Sequence, residues 1–380
     1  MTELSFYVHI PYCIKRCGYC DFNTYTPSEL KDGASLETVS GDYIDAVLKE
    51  IDNAYLEAPG AVPTIFFGGG TPSLLPARDL GRVISAIKER WSVANDCEIT
   101  LEANPDSVDQ AKLQAFRDAG FNRISFGMQS AIPHVLATLD RTHNPLNVER
   151  AVRFAREVGF RSVSVDLIYG TPGETLSDWR TSVESALSLQ VDHISAYALI
   201  VEAGTKLAGQ IKRGDISMPD DDLMADMYLL VDSLTQESGL SWYELSNWSK
   251  PGHESEHNIA YWKNANWWGL GPGAHSHLDG VRWSNVKHPT LYKSALFENK
   301  SPIHESEILS PSQIADEVIM LQIRMRDGIA LNNLSPIQQN KAEPYMHTGH
   351  IDLEKWGLGA LQLTPQGRLI ADRIVRELVV

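Results

Sequence analysis

YVHIPYCIKRCGYCDF, Tyr7 to Phe22, sets Cys13, Cys17 and Cys20 at C-x3-C-x2-C spacing. The triad directly follows an apolar run, Leu4 to Ile10, that reads as a strand. Three thiolates on one loop can hold three corners of an iron–sulfur cube, which otherwise takes four cysteines. The remaining iron then keeps an open position, as a catalytic zinc ion does when protein supplies three ligands. The amino and carboxylate groups of S-adenosylmethionine can chelate such an iron. One electron from the cluster would then break a carbon–sulfur bond and release a 5′-deoxyadenosyl radical, the protein's part being to bind, orient and exclude side reactions. Zinc binding, a disulfide and plain packing are the competing readings of close-set cysteines. Zinc wants a fourth ligand at a familiar spacing, and the nearest, His9, projects from the strand. A disulfide fits poorly with four cysteines and no export signal in view.

Composition bounds the rest. The chain has 380 residues, 43% of them hydrophobic, enough for one large domain and a small one. A formal charge of −16 disfavours general binding to nucleic-acid backbones. No apolar run reaches the roughly eighteen residues that span a bilayer, and the first residues lack a basic region followed by an apolar core. A cytoplasmic protein is expected, with at most peripheral membrane contact. Cys97 stands alone and reads as core.

Strand-like runs at Leu4–Ile10, Thr64–Phe67, Glu98–Glu102, Arg123–Gly127, Val163–Ile168 and His193–Ala198 alternate with helical patterns near 43–57, 79–90, 108–119, 147–158 and 177–189, and a last helix near 220–237. Six βα units predict an α/β fold with a parallel sheet and outer helices. That is too few for a closed eight-stranded barrel, so an open, partial barrel is expected, with its chemistry at the carboxyl ends of the strands. Gly68-Gly69-Gly70 follows the second strand and exposes backbone to a ligand. Glu102 ends the third; it reads as an acceptor for hydroxyl or ammonium groups, or as a surface acid capping Asn104-Pro105. Asp166 lies inside the fifth, where an unpaired carboxylate is costly, and a salt bridge to Arg141 is the plain explanation.

The ordered set YVHIPYC, GGGTP, LEANP, SFGMQS and VDLIYGTPGE, between about Ser5 and Ala198, is similar to the radical S-adenosylmethionine (SAM) superfamily. Within it, the set resembles the family of oxygen-independent coproporphyrinogen III dehydrogenase (HemN) and the heme chaperone HemW. The resemblance implies a partial (β/α)6 TIM-like barrel over 1–239, a [4Fe-4S] cluster on Cys13, Cys17 and Cys20, and SAM on its open iron. In matching positions Tyr7, Gly69 and Glu102 contact one SAM, the glycine turn holding the methionine amino group. Tyr19, Gly70, Thr71, Gln129, Arg141, Asp166 and Ala198 match positions assigned to a second, with Tyr19 where HemN usually has Phe.

From Gly239 the pattern changes. Residues 240–300 hold six of the nine Trp and His253, His257, His275, His277 and His288. Such density makes either a compact aromatic core or a seat for a flat apolar partner. A tetrapyrrole is flat and apolar, and His is a common ligand to its iron. His257-Asn258-Ile259-Ala260-Tyr261-Trp262 matches HNxxYW, which marks the HemW branch and is tied there to heme. His257 and, in GLGPGAHS, His275 are thus candidate heme ligands, although a His in this setting also reads as a hydrogen-bonded core residue. A linker-like stretch, Glu298–Pro311, precedes a helix over Gln313–Met325 and a terminal amphipathic helix over Gln366–Val379. Residues 301–380 resemble the family's small helical C-terminal domain of winged-helix character, for which a lid or docking role suits the acidic balance better than DNA. Gly33–Gly41 reads as a flexible loop.

The dehydrogenase carries another Cys two residues after its triad, where this chain has Phe22, and a longer N-terminal extension. With HNxxYW, both departures imply a heme chaperone of porphyrin metabolism. It would bind heme and pass it to apo-hemoproteins such as respiratory-chain components, with a homodimer possible and no catalytic residue singled out. Radical oxidative decarboxylation of coproporphyrinogen III, and radical chemistry on another substrate, remain the alternatives.

Overall fold

A computed structural model describes residues 3–30 and 36–379, with backbone alone for 36–39. Six parallel strands pair in chain order: β1 (Ser5–Ile10), β2 (Ala61–Gly69), β3 (Ser92–Ala103), β4 (Arg123–Gln129), β5 (Ser162–Tyr169) and β6 (His193–Ala198). The connections carry α1 (Leu36–Glu57), α2 (Ala77–Arg90), α3 (Gln110–Asp118), α4 (Pro133–Thr138), α5 (Pro145–Glu157) and α6 (Leu176–Ser188). After β6 come α7 (Lys206–Arg213) and α8 (Asp221–Glu237). Sequence chemistry marks the starts: Thr175 and Asp178 form a reciprocal capping box on α6, and Asp220 caps α8. This is the half-barrel expected from the alternation. The loop expected over Gly33–Gly41 falls partly outside the described residues, and from Leu36 onward it is helix α1 instead.

Side-chain parity explains where space remains. Successive strand residues face opposite sides. Phe6, Val8, Ile65, Phe67, Ile124, Phe126, Val163 and Val165 are fully buried in the main apolar core. Their neighbours on the other face are Tyr7, Phe66, Thr100, Glu102, Ser125, Ser164, Asp166 and Ser195, all of which line one cavity. A closed barrel fills that interior with bulky branched residues. Here the inward positions are mostly small or polar, so the interior stays hollow.

The second half of the chain continues the same sheet at both edges, giving the order β12-β11-β10-β9-β1-β2-β3-β4-β5-β6-β8-β7. β7 (Ser241–Glu244) and β8 (Asn247–Ser249) extend it antiparallel beyond β6. β9 (Trp267–Leu270) runs parallel to β1, followed by antiparallel β10 (His275–Leu278), β11 (Val281–Asn285) and β12 (Ile303–Ile308). The linker-like stretch Glu298–Pro311 therefore contains an edge strand; its alternating charged residues look like a linker because they serve an exposed edge. Trp248, Trp268 and Trp283 join the main core. Between these strands lie α9 (Glu256–Trp262) and α10 (Pro289–Phe297).

A second apolar cluster gathers α11 (Pro311–Gln322), α12 (Pro336–His347), α13 (Leu353–Gly357), α15 (Ala371–Leu378) and the short pair β13 (Ile329–Ala330) and β14 (Ala360–Leu361), with α14 (Pro365–Leu369) leading into α15. The terminal helix expected over Gln366–Val379 is two helices, broken where Ile370 leaves helical dihedrals. Arg368 fastens this part to α8 through a buried bidentate pair with Asp232, 2.6 and 2.9 Å, and lies over the Trp242 ring.

Candidate functional site

The cysteine loop leaves β1 and crosses the carboxyl ends of the strands. Cys13, Cys17 and Cys20 carry free thiols and line one cavity of about 760 Å³. Thr71 Oγ1 approaches the Cys13 sulfur at 3.7 Å, and Arg141 Nη1 approaches that of Cys17 at 3.6 Å. Burial pushes the Cys13 thiol up and that of Cys20 to about 11. Thiolates there need a metal or cation beside them. Among the described residues no three His, Cys, Asp or Glu side chains converge as one metal ion requires. A cube asks for one thiolate per iron, spread over its corners, and three free thiols on one cavity wall suit that.

Several contacts hold the loop. The Cys13 and Tyr25 amides bond to Tyr25 and Pro11 carbonyls at 3.1 and 2.7 Å. Gly18 accepts from the Leu207 amide of α7 at 2.8 Å. Lys15 and Lys206 both reach Asp140, at 2.6 and 2.7 Å. His9 reaches from inside β1 to the Asn23 carbonyl at 2.8 Å, so it anchors the loop's far end.

All ten residues that the resemblance marks for SAM line this cavity: Tyr7, Tyr19, Gly69, Gly70, Thr71, Glu102, Gln129, Arg141, Asp166 and Ala198. The glycines are required by their neighbours. A Cβ on Gly69, at φ +106°, would fall 2.5 Å from His9, and one on Gly70 would meet the carbonyls of Tyr12 and Ile10 at 2.6 and 2.8 Å. Glu102 is no surface cap. It faces the cavity, accepts from the Gly69 amide at 3.2 Å, and is pushed up to about 8 by burial, with Asp166 adding to the effect. The salt bridge expected between Asp166 and Arg141 does not form among the described residues. Ser125 donates to both Asp166 oxygens at 2.9 and 3.0 Å, while Arg141 reaches the Gly127 carbonyl at 2.9 Å and Cys17.

The HNxxYW motif forms α9, which closes the amino end of the half-barrel. Sequence reading missed what holds it: the buried Glu98 carboxylate accepts from Ser255 Oγ and the Glu256 and His257 amides at 3.1–3.3 Å, beside Arg123 at 3.8 Å. A Glu opening the apolar run Glu98–Glu102 was the available signal. His257 is buried, with Nδ1 at 2.7 Å from Thr64 Oγ1 and Nε2 at 3.0 Å from Tyr261 Oη, and stacks on Phe66. Burial pushes it down to about 3. Both nitrogens are engaged, as in a hydrogen-bonded core residue. Asn258 donates to Tyr243 and Glu244. His275 is different: its ring is exposed, makes no hydrogen bond among the described residues, and lines a second cavity of about 930 Å³ on the other side of the cysteine loop. Tyr7, Arg16, Cys17, Cys20, Glu102 and Tyr261 are shared between the two cavities.

The sequence profile of the Radical SAM superfamily matches residues 7–186. The heme chaperone HemW of Mycobacterium tuberculosis is 43% identical over 376 residues, covering 98% of this chain and 94% of that protein. The chain belongs to the HemW family. The Bacillus subtilis HemW is 33% identical over 97% of each chain, and that of Escherichia coli 36% identical over 76% of this chain and 75% of its own. Among solved structures, coproporphyrinogen III oxidase (HemN) from Escherichia coli superposes with a TM-score of 0.83 at 22% identity, over 99% of this chain and 90% of that one. The chain therefore shares the HemN fold over nearly its whole length. Among the described residues no helix is long and apolar enough to cross a membrane.

Proposed function

We propose that the chain is a heme chaperone that binds heme beside a [4Fe-4S] cluster and SAM, and hands it to apo-hemoproteins, respiratory-chain components among them. The observation that carries this reading is the pair of confluent cavities on either side of the cysteine loop, in a chain whose full-length relatives are named heme chaperones. Cys13, Cys17 and Cys20 would hold the cluster, with Arg141 and Thr71 beside two of its sulfurs. Bound there, cluster and SAM supply one-electron chemistry at the cavity wall. The second cavity falls within the roughly 300–1,000 Å³ usual for cofactor pockets. It offers aromatic walls (Phe22, Tyr25, Trp267), cations for propionates (Arg16, Lys206, Lys287) and the exposed imidazole of His275. His275, with its ring uncommitted, suits an iron better than His257 does. The protein's own residues bind, orient and screen; no side chain is assigned a proton-transfer role.

Heme titration of anaerobically reconstituted protein should give a Soret band that weakens in His275→Ala. An unchanged band and affinity in that variant removes His275 as ligand, and no heme binding by the parent protein ends the chaperone reading. Incubation with coproporphyrinogen III and SAM, beside a working HemN control, tests the enzymatic alternative, for which protoporphyrinogen IX would be the telling product.

A further inference from the structure

The hydrogen bonds around two tyrosines fix which way their phenol protons point. The Asn23 carbonyl only accepts, so His9 Nε2 carries the ring proton and Nδ1 is left an acceptor for the Tyr7 hydroxyl at 3.0 Å. On the other wall, Thr64 gives its hydroxyl proton to Ser5 Oγ at 2.9 Å and so accepts from His257 Nδ1. His257 Nε2 then accepts the phenol proton of Tyr261. Both phenols have committed their only proton to a histidine, which leaves their oxygen lone pairs for a ligand.

Tyr7, Tyr261 and Glu102 all line both cavities, where the two meet. They sense one another: beyond burial, Glu102 and Tyr261 hold the Tyr7 proton on, and Glu102 does the same for Tyr261. Two phenol oxygens with free lone pairs, beside a buried carboxyl that gives up its proton when a positive charge arrives, complement a cation that bears N–H groups or a positive sulfur. We infer that Tyr261 is a binding residue of the SAM site, taking the ligand's ammonium or sulfonium end together with Tyr7 and Glu102, and that His257 is the positioning residue that turns the Tyr261 phenol. The HNxxYW motif on this account builds a wall of the SAM site, and its histidine is not an iron ligand. This rests on the reading that the cavity takes SAM.

The test uses the full chain, reconstituted anaerobically, with SAM affinity measured by equilibrium dialysis and heme by Soret titration. Tyr261→Phe keeps the ring that packs against His257 and Trp267 and removes one acceptor. It should weaken SAM binding about tenfold or more, as expected for a lost hydrogen bond to a charged group. His257→Ala should act in the same direction, and His257→Gln, whose amide oxygen can still accept from Tyr261, should recover most of the affinity. Unchanged SAM affinity in Tyr261→Phe overturns the inference. So does a Soret band lost in His257→Ala while SAM binds normally. A parent protein that binds no SAM overturns it together with the reading beneath it, whereas one that binds SAM but not heme defeats only the chaperone proposal.

Discussion

Glu50 of α1 is wholly buried and accepts from Tyr292 Oη at 2.5 Å, Asn285 Nδ2 at 2.7 Å and the Gly271 amide at 2.9 Å. It thereby ties α1 to the glycine turn ahead of His275, whose Pro272 carbonyl also receives Asn23 of the cysteine loop. Burial outweighs these donors and pushes its carboxyl up from 4.5 to about 7. An acid that holds its proton more tightly when folded stabilises the fold fully below its unfolded value, and loses that contribution as pH rises through its folded value. The gap from 4.5 to about 7 corresponds to about 3 kcal/mol. Glu102, raised to about 8, and Glu174, raised to about 7, shift in the same direction, so a pH profile of the parent protein alone cannot isolate Glu50. The comparison with Glu50→Gln can, because the other acids are common to both. Between pH 4.5 and 8 the unfolding free energy of the variant should gain about 3 kcal/mol relative to the parent, whatever the constant cost of the substitution. With an unfolding entropy of about 2.1 cal/mol/K per residue over 380 residues, this is a relative rise of about 4 °C in midpoint. Paired thermal melts and urea titrations across that range read it directly. A difference that stays flat with pH would show that Glu50 is already ionised in the fold, and that the reasoning from its burial is wrong.

Replacing Cys13, Cys17 or Cys20 by Ala should abolish the iron–sulfur absorption of anaerobically reconstituted protein, while Cys97→Ala, in the core and away from the cavity, should retain it. Without metal the Cys13–Cys20 loop should exchange its amides faster than with the cluster bound, because the metal supplies much of its folding energy; hydrogen exchange that is equally slow in both forms would contradict this. Arg368→Met strands the buried Asp232 carboxylate and should cost about 3–5 kcal/mol, read as a lower urea midpoint; an unchanged midpoint would mean the pair holds little.

Most strands of the half-barrel were legible as short runs rich in apolar residues that end at Gly, Pro or a charged residue, and the cysteine spacing survives any tertiary rearrangement. The alternation that leaves the interior hollow was also present in the sequence, in runs such as Arg123-Ile124-Ser125-Phe126-Gly127. What escaped were partnerships. Asp166 inside an apolar strand signalled a need for a partner, but period two gives a residue's face and not its neighbour, and Ser125 answered that need in place of Arg141. His257 lies 193 positions from Thr64, a separation over which no local pattern carries information, so the motif's histidine could be read as a ligand until its two partners were seen. β12 was passed over because Glu305 and Glu307 are common in connecting segments; their match to Ser284 and Arg282 across the strand pair is invisible along the chain.

The pairing of β9 with β1 and of β8 with β6 has a consequence for biosynthesis. While the nascent chain is shorter than about residue 270, the outer hydrogen-bonding groups of β1 have no partner strand. During that interval the half-finished sheet presents an open template to other chains, and its closure waits on contacts of long sequence separation, which form slowly. A protein truncated after Glu237 would keep every cysteine of the triad, yet it should be lost to aggregation before any cofactor could be loaded.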